Sequence, residues 1–148
     1  VARPIVIFED RKAPELYPLT LTRPVFGLRC GILTLAAKAV RALAGGGSVG
    51  PLGSAETGAG GRPLLRYHVR DSLAPLVTEP VGSYRELLDA AGSALMLNGR
   101  ALFSPALAAA IDTDKRGVYV AGEAVVAANI GAEDAPALDG ALGAPLDE

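Results

Sequence analysis

The sequence predicts an α/β fold with a mostly parallel, doubly wound sheet, on three observations. Pro4-Ile5-Val6-Ile7-Phe8 is an unbroken apolar run of strand length, the pattern of a strand covered on both faces. Segments of strand character then alternate with segments of helical character, which favours a parallel sheet sandwiched between helices. The composition is 50% hydrophobic with 18 Gly, 11 Pro and no Trp, that of a small-residue domain with many turns. A chain of 148 residues can bury one core.

The elements follow in order. After the first strand comes a long polar loop containing Leu16-Tyr17-Pro18-Leu19-Thr20-Leu21-Thr22-Arg23-Pro24, then a helix expected from about Ile32 to Leu43. The stretch from Ala44 to Gly61 is too rich in glycine for a regular element. Gly45, Gly47 and Gly50 satisfy G-x-G-x-x-G, but they follow a helix and run into Pro51, the wrong context for a dinucleotide fingerprint. Leu64 to Arg70 reads as a short strand, with Asp71 or Ser72 capping a helical turn through Leu76. Ser83 and Glu86 have capping-box spacing for a helix to Ala91. Ala94-Leu95-Met96-Leu97 is a second buried strand, closed by Asn98-Gly99-Arg100, where Gly99 suits a tight exit at positive φ. Ser104-Pro105 starts a helix to about Ile111, serine capping and proline at the first helical position. Gly117–Ala121 and Ala124–Ala128 flank Gly122-Glu123, a two-residue hairpin signal. Residues 1–130 read as one domain and 131–148 as an Ala/Gly/Asp-rich tail, or the start of a continuation that would leave the domain incomplete at its C-terminus.

Charge and special residues narrow the function. All 14 basic residues fall within 1–116, whereas 117–148 carries six acids and no base. A mildly basic body suits a small phosphorylated ligand. It lacks the dense basic stripe and aromatic platforms of a nucleic-acid binder. No apolar run is long enough to cross a bilayer and no signal core can be drawn, so a cytoplasmic location is expected. One cysteine and one histidine leave only oxygen ligands for any metal. The two polar motifs, the loop after Phe8 and Asn98-Gly99-Arg100, both fall at carboxyl ends of strands, where such sheets bind ligands. The expected ligand is a nucleotide.

Ile5–Asp10, Leu16–Thr20, Thr22–Pro24, Leu28–Thr34 and Leu97–Arg100, in that order, resemble the N-terminal domain of divergent bacterial sugar nucleotidyltransferases similar to the bifunctional UDP-N-acetylglucosamine pyrophosphorylase. The likeness runs over roughly residues 4 to 130. It implies a Rossmann-like domain in which a sugar 1-phosphate oxygen attacks the α-phosphorus of UTP or another NTP, with Mg²⁺ assisting and pyrophosphate leaving. It also implies Arg23 and Arg29 as the catalytic, phosphate-neutralising cations, with Arg11, Lys12, Thr20, Thr22, Asn98, Gly99 and Arg100 binding substrate. In that family a left-handed β-helix of hexapeptide repeats follows, carries acyltransferase activity and often trimerises; none of those repeats occurs in this sequence.

Two departures stand out. Asp10-Arg11-Lys12-Ala13-Pro14-Glu15 replaces the glycine-rich start of the family loop, and Arg100 replaces the aspartate that binds Mg²⁺. A guanidinium repels a cation. Either the metal is held differently, with Asp10 the one candidate ligand, or Arg100 binds phosphate directly, or the domain is a non-catalytic nucleotide- or sugar-phosphate-binding scaffold beside a β-helix acyltransferase. Against the site readings stand plainer ones. Arg23 and Arg29 could pair with Glu9, Asp10 or Glu15; His68 reads as a structural histidine, Cys30 as a small buried hydrophobe, and Tyr17 as either pocket wall or packing.

Overall fold

A computed structural model describes residues 4–43, 65–78, 81–82 and 84–136. The elements are β1 (Ile5–Phe8), β2 (Arg29–Cys30), β3 (Leu33–Thr34), α1 (Leu35–Leu43), β4 (Leu65–His68), α2 (Tyr84–Ala91), β5 (Ser93–Asn98), α3 (Pro105–Ala110), β6 (Gly117–Ala121) and β7 (Ala124–Gly131). Five strands form one sheet in the order β4-β1-β5-β7-β6. β4 and β5 both run parallel to β1, β7 is antiparallel to β5, and β6 is antiparallel to β7. Only β7 runs against the other four. The sheet is therefore mixed, with β4, β1 and β5 as its parallel half.

β1 lies between β4 and β5, in the middle of the three parallel strands, and each of its residues is apolar and buried. Ile5 and Ile7 face one layer, with Ala36 and Ala39 of α1, Phe26 and Phe103. Val6 and Phe8 face the other, with Tyr84 and Leu88 of α2 and Met96. Each such fully buried side chain contributes about 1.5–3 kcal/mol. The chain leaves β1 through α1 to reach β4 on one side, then crosses by α2 on the opposite face to β5 on the other. Strand order thus reverses at β1, and open α/β sheets bind ligands outside the carboxyl ends of strands at such a point. Register puts Phe8 level with both His68 and Asn98, so three strands end together there.

Local chemistry refines several expectations. α1 begins at Leu35, not Ile32, because Cys30 and Leu33 pair across a small ribbon whose turn holds Gly31 at φ 74°, leaving Ile32 exposed. Thr34 Oγ1 then accepts the Ala37 amide at 3.1 Å, capping the helix. Cys30 is exposed on this ribbon, not packed. The turn through Leu76 is a 3₁₀ segment, Ala74–Leu76, with no side-chain cap from Asp71 or Ser72. The Ser104 cap and the Gly122 hairpin form as the sequence indicates, and β7 runs on to Gly131. The Gly45–Gly50 triplet and Ser83 lie outside the described residues.

The loop after β1 is tied down by the buried pair Glu9–Arg70, 3.2 Å apart. Glu9 Oε1 accepts the Val25 amide at 2.8 Å, closing the loop's far end onto its start. Arg70 donates from Nη1 to Tyr17 Oη at 3.1 Å and from Nη2 to the Thr20 carbonyl. Thr20 Oγ1 donates to the Ala13 carbonyl at 3.0 Å, cross-bracing the loop. The 16–24 segment is thereby a lock on one guanidinium. Removing one partner of such a pair strands a buried charge.

Arg70→Met should lower unfolding free energy by about 3–5 kcal/mol in urea titration, whereas Arg23→Ala, at an exposed position, should change it by under about 0.5 kcal/mol. Gly99 needs its glycine for space, not for φ, since it is not among the positive-φ glycines and an added Cβ would lie 2.9 Å from Phe26 Cβ and 3.1 Å from the Phe8 carbonyl. Gly99→Ala should cost about 1–3 kcal/mol in the same assay. His68 stacks edge-on against Tyr84, and burial pushes its pKa down despite the opposing pull of Asp71 and Glu9. A histidine lowered by folding contributes stability above its unfolded value and loses it as pH falls through the folded one. The melting temperature should therefore drop between about pH 7.5 and pH 5.5, and His68→Gln should flatten that slope.

Candidate functional site

Beyond the level ends of β4, β1 and β5, two consecutive acids leave β1 and turn to opposite neighbours. Glu9 meets Arg70 after β4, while Asp10 meets Arg100 after β5. Arg100 Nε donates to both Asp10 oxygens at 3.0 and 3.1 Å, and Nη2 donates to Oδ2 at 2.6 Å. Asn98 completes the group, its Nδ2 donating to Asp10 Oδ2 and to the Val125 carbonyl, both at 2.8 Å. Its Oδ1 accepts the Arg100 amide at 2.9 Å. The Gly99 amide meanwhile donates to the Phe8 carbonyl at 2.8 Å, so β5 delivers Arg100 to the end of β1 at a fixed distance.

Electrostatics match this geometry. Burial works against ionising Asp10, but hydrogen bonds from Arg100 and Asn98, the charge of Arg100 and the Lys12 amide outweigh it and hold the carboxyl below its ordinary range. Arg100 is stabilised as a cation chiefly by its hydrogen bond to Asp10. Asp10 and Arg100 side chains keep 15% and 25% exposure, so the pair opens to solvent, unlike Glu9 and Arg70 at 2% and 5%.

The residues singled out by sequence separate into three groups. Asp10, Asn98, Gly99 and Arg100 come together at the strand ends. Arg11, Lys12, Thr22 and Arg23 are exposed on the loop that Glu9 and Arg70 hold over those ends, and Arg29 is exposed on the β2–β3 ribbon. The side chains of Arg11, Lys12, Arg23 and Arg29 make no ion pair or hydrogen bond among the described residues. Of the acids that might have neutralised them, Glu9 and Asp10 are engaged elsewhere, while Glu15 is exposed on the same loop. Thr20 is fully buried and its hydroxyl serves the loop itself. Tyr17 is half exposed, with its hydroxyl on Arg70.

Asp10 is the carboxylate offered to a magnesium ion, and both its oxygens already accept hydrogen bonds from Arg100. Among the described residues no three His, Cys, Asp or Glu side chains group as metal ligands would. This donor set does not fit a magnesium ion held by side chains. A separate groove of about 700 Å³ runs between α1 and α3, lined by Leu33, Lys38, Arg41, Phe103 and Ile111, and includes none of the strand-end residues.

Sequence reasoning missed Arg70, the cation that shapes the loop. Its signal was positional: Arg70 follows β4 as Arg100 follows β5, so both lie beside the acids that follow β1.

No curated protein and no solved structure matches the chain, and no helix among the described residues is long and apolar enough to cross a membrane. The family model described as sugar nucleotidyl transferase matches residues 5–143, from the first residue of β1 through the whole sheet. With that match covering both strand-end motifs and the loop between them, the chain belongs to the sugar nucleotidyl transferase family.

Proposed function

We propose that the domain transfers a nucleotidyl group from an NTP to a sugar 1-phosphate at the carboxyl ends of β1 and β5. One oxygen of the sugar phosphate attacks the α-phosphorus, the bridge to the β-phosphate breaks, and pyrophosphate leaves with the bonding electron pair. Such chemistry asks mainly for alignment and for neutralising negative charge. The observation that carries the reading is the set of cations without a partner among the described residues, Arg11, Lys12 and Arg23, on a loop anchored at the switch point of the sheet.

In this reading Arg23 and Arg29 neutralise the triphosphate, Arg11 and Lys12 support them, and Thr22 offers a hydroxyl from the same loop. Arg100, with Asn98 and Gly99 beneath it, faces the phosphate of the sugar or of the nucleotide. Thr20 acts through the loop's shape. The resemblance to UDP-N-acetylglucosamine pyrophosphorylases makes UTP with N-acetylglucosamine 1-phosphate the first pair to assay.

Pyrophosphate release by the purified chain, measured across the common NTPs and sugar 1-phosphates with and without Mg²⁺, should require both substrates together. Arg23→Ala should lower kcat/KM by about 10- to 100-fold, the effect of losing one hydrogen bond to a charged group. A folded chain that releases no pyrophosphate from any pair and binds no NTP would refute the proposal.

A further inference from the structure

We propose that Asp10 is a positioning residue for Arg100, holding its guanidinium at the ends of β1 and β5 as a fixed phosphate-binding cation where the described residues gather no three metal-ligating side chains. The inference deepens the nucleotidyl-transfer reading and rests on it for the identity of the ligand.

The geometry gives Asp10 this part. A guanidinium has five N–H donors in a planar fork. Asp10 engages the Nε and Nη2 edge of Arg100, and Asn98 holds its backbone amide, so the side chain is fixed at both ends. Nη1 makes no hydrogen bond among the described residues, and the side chain retains 25% exposure. An arginine held along one edge by a carboxylate still presents its other donors to a second anion, with little rotamer entropy left to lose on binding. Asn98 is itself fixed by the Val125 carbonyl, which ties the arrangement to β7. The charged groups facing Arg100 are Asp10 and, through a weaker pull, Glu15 on the loop.

The alternative is that Asp10 merely sequesters Arg100 and competes with the ligand. The two accounts differ in sign. Neutralising Asp10 makes the site one unit more positive, so a sequestering or purely electrostatic role predicts tighter anion binding when Asp10 is replaced. A positioning role predicts weaker binding, because Arg100 loses its orientation.

The test is calorimetric titration of the chain with inorganic pyrophosphate and separately with UTP, in EDTA, for wild type, Asp10→Asn, Arg100→Gln and the double variant, with thermal melts confirming that each is folded. Wild type should bind both ligands without a divalent cation. Arg100→Gln should weaken binding by about 10- to 100-fold, and Asp10→Asn should weaken it several-fold in the wild-type background but not in the Arg100→Gln background. Arg100→Lys, which keeps the charge and loses the fork, should recover little of the loss and should become insensitive to Asp10→Asn. Tighter binding by Asp10→Asn, or equal losses from it in both backgrounds, overturns the positioning role while leaving nucleotidyl transfer standing. Wild-type binding that appears only when Mg²⁺ is added also overturns it. Failure of wild type to bind either ligand under any condition removes the functional reading itself, and this inference with it.

Discussion

Everything at the open end of this sheet depends on how two adjacent carboxylates are divided. Glu9 and Asp10 follow directly on β1 and meet, one each, the arginines that follow the two flanking parallel strands. The first pair is sealed in the protein and organises the loop; the second stays partly open and organises the cleft. Because the strands end level, neither arginine needs a long excursion.

The division links fold to function. The buried apolar run of β1 forms the middle of the three parallel strands, and the crossovers on opposite faces place the reversal of strand order there. Glu9 and Arg70 then fold the 10–24 loop back over that end, so cations far apart in sequence, Arg11 and Arg23, share one base. With Glu9 and Asp10 already neutralised, those loop cations have no ion-pair partner among the described residues. Gly99 completes the construction, since its missing side chain lets β5 approach the Phe8 carbonyl and Phe26 closely enough for Arg100 to reach Asp10.

Much of this was legible in the sequence, and the exceptions have physical causes. β1 and β5 declare themselves because strands buried on both faces need continuous apolar runs. Asn98-Gly99-Arg100 stood out as a polar exit from such a run, though Gly99 is demanded by close packing and not by its dihedral angle. The two-residue strands of the ribbon leave no periodicity to detect, so Cys30 was read as buried and α1 as starting early. Arg70 was overlooked because its partner is 61 residues away, and long-range ion pairs have no local signature. Thr20 shows the same limit: a hydroxyl expected to meet substrate serves the backbone of its own loop.

The most direct measurement is a map of where UTP touches the folded chain, obtained from amide and arginine side-chain NMR shifts during titration. The account predicts shifts concentrated at Asp10–Lys12, Thr22–Arg23, Arg29 and Asn98–Ala101, including the Arg100 guanidinium, with Arg70 nearly unmoved behind the loop. Shifts confined instead to Lys38, Arg41 and the α3 face of the apolar groove, with the strand ends silent, would contradict it.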